Sequence, residues 1–140
     1  MGSPQETHLR ARDEAIRRFR AAGIEGSVVM LNLLAFRPVA DYSDMPELAP
    51  PAPITGAEAY RRYRDHVRPY LQRAGSELLF TGRGGSYLIG PEHERWDWVT
   101  LVRHRSVEAF LGFDDDPGYR AGRGHRTAAL ADFRLLPVLE

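Results

Sequence analysis

The sequence predicts an α+β fold in which helices cover one face of an antiparallel sheet. Three observations lead to this fold class. Helical and extended segments alternate along the chain, two extended segments follow each other directly in its middle, and glycine or proline residues punctuate the boundaries. The resulting order α-β-α-β-β-α-β is a ferredoxin-like βαββαβ arrangement with an extra N-terminal helix. A length of 140 residues fits one domain, 1–140.

The first part of the chain predicts a helix, a buried strand and a long loop. Apolar residues at helical spacing among arginines predict a helix over about residues 6–22. The segment SVVMLNLLAF, residues 27–36, is apolar on both faces, as expected of a strand that is buried on both sides. Residues 37–54 are rich in proline and acidic residues, and their number favours a lid, a dimer arm or a mobile flap.

A second helix is predicted to follow this loop. Thr55 and Glu58 have the spacing of a capping box, which places the start of the helix at Thr55. Its apolar stripe continues to about Ala74, where a glycine follows. Pro69 lies inside the helix, so we expect a kink or a local break there.

The rest of the chain predicts strands and two further helical segments. SELLFTG and SYLIG are expected to form one hairpin around GRGG, residues 82–85, which is a turn in preference to a phosphate loop. RWDWVTLVRH, residues 95–104, predicts another strand. Ser106 caps a helix, Asp116 caps the next one, and DFRLLPVL forms the last strand. The second sheet face is then apolar and uncovered, so we expect a homodimer that pairs through this face.

Composition excludes several classes of function. The 19 basic residues balance the 19 acidic residues, which argues against nucleic acid as a partner. All 19 are arginine and cysteine is absent, which excludes lysine Schiff bases, thiol nucleophiles and thiolate metal ligands. No apolar run reaches the roughly 18 residues of a membrane span, so we expect a cytoplasmic protein without a membrane partner. No cofactor motif is present, and the adjacent residues 92–94 (EHE) point apart, so no cofactor and no metal are expected.

Asn32 is a polar residue in an otherwise apolar strand. A buried amide without hydrogen-bond partners costs about 1–3 kcal/mol. Asn32 is therefore either bonded to neighbouring backbone groups or aimed into a pocket, where it would orient a ligand carbonyl or enolate.

Aromatic residues and a histidine offer a second set of candidates. Tyr63 and His66 are three residues apart on the second helix, so they are neighbours and either pack in the core or line a cavity. Trp96 and Trp98 are two residues apart in an extended segment, which places them on one face. Their indoles suit a core or a dimer interface, and also the flat wall of a site for a planar ligand.

The segment DPGYRAGRGHRTAALADF, residues 116–133, contains the third set. Tyr119 and Arg126 are two helical turns apart and share a face, Arg123 lies one turn before Arg126, and His125 lies on another stripe. Arg126 is either structural, in a salt bridge with Asp97, or a fixed guanidinium that holds a carboxylate or enolate oxygen. In the second case His125 would carry a proton near neutral pH.

Several segments together resemble the domain-of-unknown-function family DUF1330, over about residues 28–136 apart from the long loop. They are VVMLNLLAF, YRRY, YLIGPEHERWDWVTLVRHRSVEAFL and DPGYRAGRGHRTAALADFRLL. The family pattern M-x-N-L, W-D, D-P-x-Y and H-R matches Met30–Leu33, Trp96–Asp97, Asp116–Tyr119 and His125–Arg126. Where the family usually has Tyr-Pro-Ser at the strand-to-helix step, this chain has His-Arg-Ser, residues 104–106.

The resemblance implies a dimeric α/β barrel, in which two ferredoxin-like sheets pair and each subunit has a cavity between sheet and helices. Relatives in the wider superfamily include cofactor-independent quinone-forming monooxygenases, haem-degrading monooxygenases, muconolactone isomerases and polyketide cyclases. Some of them use an Asn on the first strand and a Trp, for which Asn32 and Trp98 are the candidates here. DUF1330 itself has no settled activity, and the fold alone does not define one.

The leading hypothesis is a small-molecule-binding enzyme without cofactor. Its substrate would be planar and oxygenated, aromatic or polyketide-like, and the reaction an isomerisation, cyclisation or oxygenation. The proposed catalytic residues are His125, Arg126, Asn32 and His66, and the proposed substrate-binding residues are Tyr63, Trp98, Tyr119 and Arg123. The alternative is a non-catalytic dimeric binding or accessory module in which the same residues are structural. A weaker alternative is haem binding through His66 or His125.

Overall fold

The computed structural model describes residues 8–139. The helices are α1 (Asp13–Ala21), α2 (Gly56–Arg73), α3 (Val107–Leu111), α4 (Pro117–Gly122) and α5 (Gly124–Ala129). The strands are β1 (Val28–Phe36), β2 (Glu77–Arg83), β3 (Trp98–His104) and β4 (Leu130–Val138). The predicted α+β fold class is confirmed. Helix α1 begins later than predicted, and residues 6 and 7 of that prediction lie outside the described part of the chain.

The four strands form one sheet in the order β2-β3-β1-β4, and all neighbours are antiparallel. This is the strand order of a ferredoxin-like fold, as the sequence predicted. Strand β1 lies in the middle, and its Val28, Met30 and Leu34 side chains are almost completely buried. The apolar sequence of β1 fits its central position in the sheet, where strands flank it on both sides.

The two faces of the sheet differ in what covers them. Trp98 and His104 of β3 face the helices, since Trp98 contacts Arg64 of α2 and His104 contacts Phe110 of α3. Residues that alternate with them face the other way. On that face the register aligns four large apolar residues across all four strands: Phe80, Leu101, Leu31 and Leu136. The two outer members of this apolar row, Phe80 and Leu136, are 60% and 58% exposed.

Helix α2 begins as the sequence predicted and passes through its proline. Thr55 accepts a hydrogen bond from the backbone N–H of Glu58 at 3.1 Å, while the Glu58 carboxylate binds Arg61 and does not complete the capping box. The expected break at Pro69 is wrong, because α2 continues to Arg73 without interruption. Pro69 lies on the exposed face of the helix, where water can satisfy the carbonyl that loses its N–H partner.

The predicted hairpin between SELLFTG and SYLIG is wrong. Strand β2 pairs with β3, and residues 84–97 form the connection between them without a strand of their own. Leu88 and Ile89 in this connection are 99% and 92% exposed, so these apolar side chains of SYLIG do not pack against the described part of the chain. The connection is held by hydrogen bonds from Tyr87 to Glu94 and from Trp96 to Tyr87.

The long loop of residues 37–54 packs against the domain. Tyr42 forms a core cluster with Ala59 of α2 and with Ala128 and Ala129 of α5. The backbone N–H of Asp41 donates to the carbonyl of Ala128 at 2.9 Å. These contacts hold the loop against its own subunit, which argues against a projecting arm or a mobile flap.

The segment after Asp116 forms two short helices that meet at Arg123. Gly122 and Gly124 are required here by close packing. A Cβ atom on Gly122 would overlap the His66 ring of α2, and one on Gly124 would lie 2.6 Å from the sulfur of Met45. His66 cannot easily move, because its Nε2 is bonded to the carbonyls of Gly118 and Tyr119. The glycines thus set the distance between the last helices, α2 and the long loop.

We predict that Gly122→Ala lowers the free energy of unfolding by about 1–3 kcal/mol, since the added methyl group overpacks a fixed contact. Gly112→Ala is the matched control, because Gly112 has a φ of −68° and nothing lies within 4 Å of its Cβ position. It should be neutral or slightly stabilising. Urea unfolding followed by circular dichroism measures both variants. Equal stabilities of the two would contradict the packing role of Gly122.

Candidate functional site

The described structure contains a cavity of about 800 Å³ at one end of the sheet. It lies where β1 and β2 end and β3 begins, next to the first turns of α2. Three aromatic residues contribute to its wall: Phe36, Tyr60 and Trp98. Four arginines line the same cavity, Arg37, Arg64, Arg83 and Arg95, together with one carboxylate, Asp97. The cavity therefore combines flat apolar surfaces with an excess of three positive charges.

Asp97 connects the strand ends around this cavity. Its backbone N–H donates to the carbonyl of Leu34 at 2.7 Å, and its carbonyl accepts from the N–H of Gly84 at 3.0 Å. One carboxylate oxygen accepts from the N–H of Phe36 at 2.8 Å, and the other from Nε of Arg95 at 3.0 Å. Both oxygens of the carboxylate are thus hydrogen-bonded within the protein. Of the four arginines that line the cavity, Arg95 is the one that this carboxylate neutralises.

Two buried hydrogen-bond donors that belong to residues lining the cavity have no partner within the described chain. Within residues 8–139, the buried side-chain nitrogen or oxygen atoms without a hydrogen bond are Nε of Arg37 and Nε1 of Trp98. Both residues line the same cavity. Each unsatisfied buried donor costs about 1–3 kcal/mol, and more when it is charged. Each such group calls for an explanation, and a ligand that supplies the missing acceptors is one that these two residues share.

The position of Arg37 is fixed by its backbone. Its N–H donates to the carbonyl of Ala129 at 2.8 Å, and its carbonyl accepts from the N–H of Gly56, the first residue of α2, at 3.0 Å. A Cβ atom on Gly56 would overlap this carbonyl, so glycine permits the close approach. The start of α2 and the end of β1 are thus joined at the cavity.

Tyr60 forms the inner wall as a neutral phenol. Its ring lies 5.5 Å from that of Phe36 and 5.4 Å from that of Tyr63, measured between centroids. Burial raises the pKa of Tyr60 to about 12, and burial likewise raises the pKa of Tyr63 well above its usual value. At neutral pH both residues keep their protons, so they can donate a hydrogen bond and are poor bases.

Of the eight residues that the sequence proposed for the site, Trp98 lines this cavity. Its partner in the sequence argument, Trp96, does not share its face: Trp96 contacts Arg134 of β4, whereas Trp98 lies under Arg64 of α2. Asn32 donates from Nδ2 to the carbonyls of Met30 and Thr100, at 3.1 and 3.3 Å. Its amide is therefore bonded to the backbone of its own sheet.

Three further candidates meet between α2 and α4. The hydroxyls of Tyr63 and Tyr119 are hydrogen-bonded at 2.9 Å. Nε2 of His66 contacts the carbonyls of Gly118 and Tyr119 at 3.0 and 3.1 Å. Tyr63, His66 and Tyr119 thus lie close together, and their polar atoms serve the contact between the two helices.

The candidates on α5 and beside it are also engaged. Nδ1 of His125 is hydrogen-bonded to the Tyr42 hydroxyl at 2.8 Å, and burial lowers the pKa of His125. Arg123 binds Asp114 at 3.3 Å. Arg126 donates to the carbonyl of Leu9 at 3.2 Å and lies 4.3 Å above the Phe133 ring.

The expected salt bridge between Arg126 and Asp97 is wrong, because Asp97 binds Arg95. The two residues belong to separate parts of the structure: Asp97 lies at the entrance to β3, and Arg126 lies on α5 against β4.

The sequence reasoning missed the arginines of the cavity, although a signal existed. Arg37 follows the last residue of β1, Arg83 ends β2, and Arg95 precedes β3. In a ferredoxin-like sheet the ends of β1 and β2 lie at the same end of the sheet as the start of β3, because β3 is antiparallel to both. Arg64 carries no comparable signal, since its place depends on how α2 packs.

Comparison with known proteins identifies the family. Residues 52–138 match DUF1330, a domain of unknown function. The chain belongs to the DUF1330 family. The RPA0582 protein of Rhodopseudomonas palustris, of unknown function, is 37% identical, with 96% of this chain and 98% of that chain covered and a TM-score of 0.85.

A more distant structure shares the fold. A dabb family protein with a ferredoxin-like fold from Mesorhizobium loti is 12% identical, with 83% and 98% of the two chains covered and a TM-score of 0.51. A dimeric ferredoxin-like protein of unknown function from Thermobifida fusca is also 12% identical, with 84% and 94% covered and a TM-score of 0.47. No curated protein matches this chain significantly.

Between residues 8 and 139, no group of three or more His, Cys, Asp or Glu side chains is arranged to hold a metal ion. In the same part of the chain, no helix has the length and apolar character needed to cross a membrane.

We predict that this DUF1330 protein loses stability below neutral pH because of His104. His104 is 5% exposed, its Nδ1 is hydrogen-bonded to Ser76, and burial lowers its pKa from 6.5 to about 4. Between pH 6.5 and 4 the unfolded chain therefore binds a proton that the native state does not. The free energy of unfolding should fall by about 2 kcal/mol from pH 7 to pH 5.

Urea unfolding at the two pH values measures this effect. His104→Phe, which suits the neighbouring rings of Phe110 and Phe113, should remove most of the difference. The exposed His93 provides the control variant His93→Gln, which should keep the difference. An unchanged pH dependence in His104→Phe would assign the effect to other groups.

Proposed function

We propose that this DUF1330 protein binds a small planar molecule in the cavity at the end of its sheet. The observation that carries the proposal is the cavity itself, which is open to solvent, measures about 800 Å³ and has three aromatic residues in its wall. Ligand pockets of proteins commonly have volumes of 300–1,000 Å³ and combine apolar walls with a few convergent polar groups. Phe36, Tyr60 and Trp98 supply the flat walls, and the four arginines supply the polar groups.

The surroundings of the histidine and tyrosine side chains, which could carry protons, favour a binding function over a catalytic one. Among the described residues, no histidine lines the cavity. His66 and His125 are bonded to neighbouring groups of the fold, and the high pKa of Tyr60 makes it a poor base. Isomerisation, cyclisation or oxygenation of a planar substrate is the second candidate, for which the arginines are the supporting observation, since a guanidinium stabilises an enolate or phenolate.

We further propose that the protein is a homodimer whose subunits pair through the uncovered face of the sheet. The apolar row of Phe80, Leu101, Leu31 and Leu136 crosses this face completely. An exposed row of this kind is unfavourable in water, and a second copy can cover it with an identical row by two-fold symmetry.

We predict that the protein sediments as a dimer of two 15.8-kDa chains and that Phe80→Glu or Leu136→Glu converts it into a monomer. A carboxylate buried against its symmetry mate is strongly unfavourable, so dissociation should follow. Val39→Glu is the control, because Val39 is similarly exposed but lies in the long loop. A monomeric wild type, or dimeric variants at both positions, would refute pairing through this face.

We predict that planar compounds bind to the protein with millimolar or tighter affinity and that Ala57→Phe weakens this binding at least about tenfold. Ala57 lines the cavity at the exposed first turn of α2, so a phenyl ring there occupies the ligand volume without entering the core. Ligand-observed NMR with trans-cinnamate, trans-cinnamamide and 2-naphthol provides the measurement. Each compound is titrated into the wild type and the variant.

Ala121→Phe is the matched control, since Ala121 is equally helical and exposed but lies on α4, outside the cavity. It should bind like the wild type. The proposal fails if none of the three compounds binds at millimolar concentration, or if Ala57→Phe and Ala121→Phe bind equally well.

A further inference from the structure

We propose that the natural ligand of this cavity is a planar carboxylic acid and that Arg37 and Trp98 recognise its carboxylate. The inference rests on the proposed binding function and names the chemical class of the ligand. It starts from the two donors that lack a partner, Nε of Arg37 and Nε1 of Trp98. Arg37 directly follows β1 and Trp98 begins β3, and both residues line the same cavity.

The chemistry of the two atoms selects the kind of group that satisfies them. Guanidinium nitrogens and an indole nitrogen only donate hydrogen bonds. An ionised carboxylate only accepts, and its two oxygens offer one acceptor to each donor. A primary amide has one oxygen and an NH₂ group that is itself a donor, so it matches the pair less well. The donor pair therefore favours an acid over its neutral amide.

The charge of the cavity favours the same class. Asp97 compensates Arg95, and Arg37 interacts electrostatically with Asp41, whereas Arg64 and Arg83 form no ion pair within residues 8–139. The guanidiniums around one cavity repel one another, and an anion between them removes much of this repulsion. The aromatic walls indicate that the anion carries a flat organic body and is not a bare inorganic ion.

Arg64 is the residue that can admit the acid. Its guanidinium lies 5.2 Å from the centre of the Trp98 ring, and it forms no hydrogen bond or ion pair with the described residues. A stacking contact of this kind contributes only about 0.5–2 kcal/mol, so the side chain can turn away from Trp98 at small cost. A carboxylate that enters beside Trp98 then gains Nε1 of the indole and keeps Arg64 as a nearby charge.

Heteronuclear NMR of the indole groups tests the inference on the unmodified protein. The chain has two tryptophans, and Trp96 is already bonded to the Tyr87 hydroxyl through its Nε1, so Trp96→Phe assigns the two indole signals. Addition of trans-cinnamate should move the Trp98 Nε1–H proton signal downfield and leave the Trp96 signal in place. Trans-cinnamamide, which has the same shape without the charge, should cause a much smaller shift.

Calorimetry of three variants supplies a second measurement. Arg37→Met should weaken cinnamate binding roughly tenfold or more, and Trp98→Phe, which keeps an aromatic ring but loses the donor, should weaken it about three- to tenfold. Neither should change cinnamamide binding by more than about twofold. Arg68→Met is the charge-matched control, because Arg68 is exposed on α2 outside the cavity, and it should bind like the wild type.

The outcomes separate this inference from the proposed function. If cinnamate and cinnamamide bind equally and the Arg37 and Trp98 variants bind both normally, the acid class is wrong while binding in the cavity stands. If inorganic phosphate moves the Trp98 indole signal as strongly as cinnamate, the site selects a bare anion and the inference is overturned. If neither compound of the pair binds and 2-naphthol does not bind either, the proposed function itself fails.

Discussion

Asp97 is the residue on which the end of the sheet depends. Through two backbone and two carboxylate hydrogen bonds it joins β1, the end of β2 and the entrance to β3. Its side chain reaches the N–H of Phe36, where the β1–β4 register shifts between Ala35 and Phe36. A single side chain thus supports the irregular end of the central strand and, by holding Arg95, sets the charge balance of the cavity beside it.

This arrangement places the candidate site at one end of the space between the sheet and helix α2, within the region where the family resemblance implied a cavity. Between the sheet and the helices, the side chains of Tyr60, Tyr63 and Tyr119 form an aromatic series with centroid distances of 5.4 and 6.2 Å. His66 and Gly122 close the space between α2 and α4. The open volume lies beyond this series, at the strand ends, where guanidinium groups replace phenol and imidazole as the available polar groups.

The sequence predicted what depends on local signals and failed where a contact is made over a distance. The caps at Thr55, Ser106 and Asp116 are observed, because a hydroxyl or carboxylate reaches an N–H two or three residues ahead. The prediction of a hairpin with SYLIG was wrong. Two short apolar segments on either side of a glycine-rich turn predict pairing, but they do not show that β3, further along the chain, is the better partner of β2. Asn32, His66 and His125 are hydrogen-bonded within the fold, and the sequence does not state which backbone carbonyl or hydroxyl satisfies each of them. Arg37, Arg83 and Arg95 were accessible to prediction through strand order, whereas Arg64 required the packing of α2.

The crystal structure of the protein with trans-cinnamate bound tests the central claim most directly. The account predicts electron density for a flat molecule between Phe36, Tyr60 and Trp98, with its carboxylate within hydrogen-bond distance of Nε of Arg37 and Nε1 of Trp98. Density for the ligand around Tyr63, His66 and Arg126 would return the site to the interior of the fold. A cavity that holds only water in crystals saturated with the acid would contradict the account.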